Sequence, residues 1–158
     1  MVRGPLTIRG YYHSPEYNKR AFTEDGFYRT GDVVRMYQGR YVTVEGRIKD
    51  TINRGGEKIS AEEVENHILA HPKVENCAYV AMPDRVLGEK GCAFVLTKEG
   101  QDLTLEELCR FLKDEGNIAI HKLPERIEKV REFPMTRIGK IDKKELRRII
   151  DEKLREES

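Results

Sequence analysis

In the stretch PMTRIGKID, residues 134–142, a lysine sits directly after a glycine, between a proline-ended strand and a helix. Lys140 carries a compact ammonium on a long stem, and Gly139 frees the backbone beside it. That placement suits a side chain that must reach something outside its own domain. Taken singly, a Gly-Lys pair is more simply a solvated loop lysine. It is not a phosphate loop, because TRIGKID lacks the GxxxxGK[ST] frame and does not follow a strand directly. Asp32, which ends YRTGD (28–32), is the second candidate. A carboxylate accepts hydrogen bonds from a pair of hydroxyl donors, each strengthened by its charge. Alone, it reads equally as an aspartate in a β-turn. Arg47 follows fifteen residues later; its plain reading is a surface strand arginine. Gly55-Gly56 can let a ligand pass close to the backbone or can simply turn a hairpin, and Lys58 beside it reads as a solvated strand lysine. His13, His67, His71 and His121 are scattered, with no triad or metal spacing, so they are expected to be structural and no metal site is expected.

The elements that must position these residues are legible in the pattern. VVRMY-QG-RYVTV reads as a hairpin around Gln38-Gly39. DTINRGGEKIS gives two short strands around Gly55-Gly56. Ser60 with Glu63 has capping-box spacing for a helix bearing Val64, Ile68 and Leu69, which ends near His71-Pro72. CAYVAM and GCAFVLT are short apolar strands joined by a polar connection, PDRVLGEK. Thr104 and Glu107 cap another helix, with Gly116 as its stop. RIEKVREF has strand character up to Pro134. Asp142 with Glu145 then opens a helix with Leu146, Ile149, Ile150 and Leu154 on one face. Residues 1–45 show hairpins, many glycines and aromatics, and no helix to cover them. The reading is an α+β chain: a β-rich segment over 1–45, a hinge over 46–50 and a small domain over 51–158, a short sheet with flanking helices.

Composition narrows the class. The chain has 158 residues, 38% apolar and 36% charged, with a net charge of +1, which makes no general case for nucleic acid. Residues 122–148 hold ten Lys/Arg against five Asp/Glu, a pattern better suited to an acidic protein surface than to nucleic acid. No apolar run approaches the roughly 20 residues of a membrane span, and no signal-peptide pattern opens the chain. Cys77, Cys92 and Cys109 lie far apart in apolar patterns, as reduced residues of a cytoplasmic protein would.

Three stretches together, YRTGD (28–32), GRIKDTINRGGEKISAEEVE (46–65) and PMTRIGKIDKKELR (134–147), resemble the C-terminal portion of the adenylate-forming enzymes. GPLTIRGYY, EDGFYRTGD and INRGGEK are most similar in wording to the 2,3-dihydroxybenzoate-AMP ligases of siderophore biosynthesis. The resemblance covers essentially the whole chain. It implies that Lys140 is the lysine serving adenylation, that Asp32 holds the ribose and that Arg47 contacts the nucleotide. Lys49 falls at the hinge position. Gly55 and Gly56 would face the site during thioester formation, where a phosphopantetheine arm passes, and Lys58 would meet phosphate. ATP, an aryl or acyl carboxylic acid and a carrier protein or CoA are the implied partners. The Mg²⁺ ligand, phosphate loop and acid pocket would lie outside this chain, so the chain alone is expected to be inactive. The alternatives are a piece of an aliphatic acyl-CoA ligase, or a non-catalytic module that binds a carrier protein. The uncovered apolar residues of 1–45 lead to the further expectation that the chain self-associates through that segment.

Overall fold

The glycine-rich opening of the chain folds as a unit of its own, Met1–Lys49, in the computed structural model, which describes residues 1–157. It contains helix α1 (Pro15–Ala21), strand β1 (Asp32–Tyr37) and strand β2 (Tyr41–Arg47). The helix corrects the sequence reading, which placed none there. Pro15 supplies a pre-set first turn, Glu16 complements the helix dipole at the start, and Lys19 and Arg20 do so at the end. Ala21 is its one buried residue, so no apolar periodicity advertises it. The β1–β2 hairpin turns at Gln38 and Gly39, with φ of 51° and 63°, the left-handed pair that matches strand twist. Tyr37 pairs with Tyr41, so β2 starts one residue later than expected.

The second unit begins at Asp50. Its elements are β3 (Thr51–Arg54), β4 (Glu57–Ser60), α2 (Ala61–Leu69), β5 (Val74–Asp84), β6 (Gly88–Thr97), α3 (Leu105–Asp114), β7 (Arg126–Lys129) and α4 (Lys143–Glu156). The sheet runs β4-β3-β6-β5. β6 shares one edge between β3, at Arg54 opposite Gly88, and β7, which runs parallel to it along Cys92–Val95. Because side chains alternate across a strand, β5 and β6 feed two cores. Tyr79, Ala93 and Val95 pack with Val64, Ile68, Leu108 and Leu112 of α2 and α3. Ala78, Val80, Met82, Cys92 and Phe94 pack beneath Leu146 and Ile150 of α4. Ser60, Thr104 and Asp142 cap the three helices, accepting bonds from Glu63 N, Glu107 N, and Lys144 N and Glu145 N.

Three expectations need adjusting. PDRVLGEK is mostly strand, because Asp84 Oδ1 takes the amides of Val86 and Leu87 and turns the chain within three residues. The strand in RIEKVREF stops at Lys129, well short of Pro134, although Val130 N still bonds Val95 O at 3.0 Å. Leu69 is 44% exposed rather than part of the core face. The cysteines are free thiols, Cys77 and Cys92 buried, and burial pushes both up to about 12. Among the described residues no helix is long and apolar enough to cross a membrane.

Candidate functional site

Lys140 stands on a tight hairpin. Met135 and Ile141 bridge, Thr136 N donates to Lys140 O at 2.7 Å, and Gly139 N donates to Thr136 O at 3.0 Å. The Lys140 amide donates to Thr136 Oγ1 at 3.1 Å. Gly139 has φ of 75°, the left-handed region that glycine enters without strain. Asp142 N donates to Pro134 O at 2.8 Å, so the hairpin closes directly onto the first turn of α4. The Lys140 side chain is exposed, and no carboxylate among the described residues pairs with its ammonium. Ile138, two residues away, is 78% exposed. The hairpin therefore presents a fixed backbone with an uncommitted cation at its tip.

In the first unit the structure brings Asp32 and Arg47 together. They are register partners at the open end of β1–β2, and Arg47 Nε lies 3.2 Å from Asp32 Oδ1. Gly31, with φ of 78°, turns the chain into β1, and Ile48 N donates to Gly31 O at 2.9 Å. A carboxylate has about four lone-pair sites, so this contact leaves Asp32 able to accept further donors. Lys49 lies in the single 3-10 turn Ile48–Asp50 that links the strands on either side.

Gly55 and Gly56 form the β3–β4 turn, with φ of 57° and 98°. Gly55 also has a packing reason: its amide donates to Leu87 O at 2.8 Å, and a Cβ there would stand 3.1 Å from Leu87 Cδ2. Nothing lies within 4 Å of a Cβ built on Gly56, so that residue keeps the open approach. Lys58 points outward from β4, opposite buried Ile59. No hydrogen bond among the described residues joins this turn to the Lys140 hairpin.

Residues 63–140 match the model of the AMP-binding enzyme C-terminal domain. That segment belongs to this family. The 2,3-dihydroxybenzoate-AMP ligase of Bacillus subtilis (strain 168) is 54% identical over 154 residues, covering 98% of this chain and 28% of that protein. Enterobactin synthase component E of Escherichia coli (strain K12) is 52% identical over 93% of this chain and 27% of its own length. The ATP-bound crystal structure of MatB from Rhodopseudomonas palustris superposes with a TM-score of 0.80 at 31% identity, over 93% of this chain and 29% of that one. The chain thus spans little more than a quarter of the length of the curated relatives it matches.

Two ion-paired carboxylates of this AMP-binding C-terminal domain escaped the sequence reading. Glu65, on α2, accepts the Tyr79 amide at 2.5 Å and lies 2.7 Å from Lys143 Nζ. Burial pushes its carboxyl up, against the pull of Lys143. Glu125 lies 2.7 Å from Arg54 Nε and takes the Gly91 amide at 3.0 Å, which anchors the strand just before Gly55. The available signal was Glu65's place between Val64 and Ile68, a charge at the margin of an apolar helix stripe. Among the described residues no group of three or more His, Cys, Asp or Glu could hold a metal ion.

Proposed function

We propose that this chain supplies the mobile catalytic domain and the nucleotide-holding hairpin of an ATP-dependent aryl acid–AMP ligase of the 2,3-dihydroxybenzoate type. The acid's carboxylate oxygen attacks the α-phosphorus of ATP, the bond to pyrophosphate breaks, and an acyl-adenylate forms. A pantetheine thiol, on a carrier protein or CoA, then attacks the acyl carbon and AMP leaves. The first step brings anion against anion. One unit-charge pair at ~4 Å is worth about 4 kcal/mol at an effective dielectric near 20. The observation that carries the reading is the exposed Lys140 ammonium on its closed hairpin, with which no carboxylate among the described residues pairs. Bridging carboxylate and phosphate, it offsets that repulsion where charge develops. Asp32 takes the ribose hydroxyls, with Arg47 beside it on the nucleotide. The described residues do not fit a Mg²⁺ site.

After adenylation, the 46–50 segment acts as the hinge about Lys49 and exchanges the Lys140 surface for the Gly55-Gly56 surface. Gly56 gives the pantetheine arm its close passage, and Lys58 meets phosphate. The identity of the relatives favours an aryl acid over an aliphatic one. The test is Lys140→Ala in the complete enzyme. ATP–pyrophosphate exchange should fall ~10²–10³-fold, the scale for losing one transition-state electrostatic partner. Thioester formation from preformed adenylate should be spared. Equal loss in both half-reactions overturns the assignment.

A further inference from the structure

Glu65 does more than end an apolar stripe. Strand β5 pairs with β6 on one side, and among the described residues its other edge carries no strand. The Tyr79 amide on that open edge donates to Glu65 Oε1 at 2.5 Å. Both Glu65 oxygens also reach Lys143 Nζ, at 2.7 and 2.8 Å. The pair is withdrawn from solvent, with side-chain exposures of 15% for Glu65 and 21% for Lys143. Lys143 is the first residue of α4, directly after the Asp142 cap on which the Lys140 hairpin closes. One carboxylate thereby ties α2 and β5 to the base of that hairpin.

We infer that Glu65 is a positioning residue for adenylation, holding Lys143 and through it the Lys140 hairpin in the orientation that delivers the ammonium. The other constraints on the hairpin base are less directional. Ile141 and Phe133 are only partly buried against the second core, and apolar contacts fix depth better than angle. The Asp142 cap binds α4 to itself and not to the sheet. A salt bridge between half-buried partners, with one oxygen further oriented by a backbone amide, supplies the missing directional restraint. The neighbouring pair Arg147–Asp50, at 2.7 Å, restrains the next turn of α4 but not the hairpin end.

The inference rests on the function proposed above, so its test has one arm that does not. Glu65→Gln keeps an oxygen for the Tyr79 amide and removes the charge that Lys143 needs. In the chain itself, amide hydrogen exchange is read at Thr136, Gly139, Lys140 and Asp142. Exchange should speed up about tenfold or more in Glu65→Gln and in Lys143→Met, while the Tyr79 amide stays protected in Glu65→Gln. Lys143→Arg should restore the slow rates. In the complete enzyme, Glu65→Gln should lower kcat for adenylation up to about 100-fold, the effect of an ångström-scale misplacement. Thioester formation from preformed adenylate should be unchanged, and Glu63→Gln, which loosens only the Lys122 pair, should leave both steps alone. Unchanged exchange at the hairpin overturns the positioning role whatever the enzyme does. Fast exchange with normal adenylation overturns its catalytic relevance. A wild-type enzyme with no adenylation at all sinks the proposed function and leaves the exchange result standing.

Discussion

Gly91→Ala should be among the most damaging single-methyl additions available to this fold. A Cβ at Gly91 would stand 1.7 Å from Tyr79 Oη, 2.2 Å from Cζ and 2.7 Å from Cε2. The Tyr79 ring is fully buried and its hydroxyl donates to Lys122 O at 3.1 Å, so it has nowhere to swing. Expelling it resembles deleting a large core aromatic, ~3–5 kcal/mol, and breaking a buried hydrogen bond adds ~0.5–1.5 kcal/mol. Even the lower end is a large share of the ~5–15 kcal/mol that holds a typical domain together. Gly91 N is also a donor to Glu125, which orients Arg54, so distortion there spreads to the Gly55-Gly56 turn. Urea unfolding of the chain, followed by circular dichroism, measures the loss. In a double-mutant cycle, Tyr79→Ala with Gly91→Ala should cost no more than Tyr79→Ala alone, because the clash is gone. A Gly91→Ala protein within about 1 kcal/mol of wild type, or strict additivity in the cycle, refutes the packing argument.

Burial pushes the His71 imidazole below its ordinary 6.5, so just below that pH the unfolded chain binds more protons than the folded one. Stability should therefore fall as pH drops through that window, and His71→Gln should remove this part of the slope in urea midpoints taken on either side. In the complete enzyme, Lys49→Pro, which fixes φ at the hinge, should change adenylation and thioester formation by very different factors; wild-type rates in both would show that Lys49 is no pivot. On β1–β2, Met36, Tyr41, Val42 and Val44 are each more than half exposed. The chain should accordingly self-associate through residues 1–45 in sedimentation, while a chain starting at Asp50 should not; two monomers would contradict this.

The α+β class, the hairpin at Gln38-Gly39, the Gly55-Gly56 turn and all three capped helices of the second unit were readable because each is local. Turn residues with positive φ and a Ser, Thr or Asp three residues before a Glu leave their mark within a few positions. What was missed is either too short to show a period, as with α1, or depends on distant partners. Glu65 and Lys143 are 78 positions apart, and nothing in either segment names the other. Tyr79 against Gly91 is the same case: the glycine's necessity appears only once a ring lies across it. Lys140 stood out in its motif, while the absence of an ion-pair partner for it among the described residues emerged only from the folded surroundings.

The second core also sets an order of events in the cell. Ala78, Val80, Met82, Cys92 and Phe94 all precede α4 in the chain, and Leu146 and Ile150 are the fully buried residues that complete their cover. Of the elements described, the one that seals this face is synthesised last. A nascent chain stalled or cut after Pro134 holds a finished hairpin whose second face only Val130 and Phe133 partly cover, the state that recruits chaperones or aggregates. The same missing segment carries Lys140. A ribosome that stops early therefore leaves a product without the lysine and without the helix that keeps the sheet dry, so quality control can remove the defective molecule by its stickiness alone.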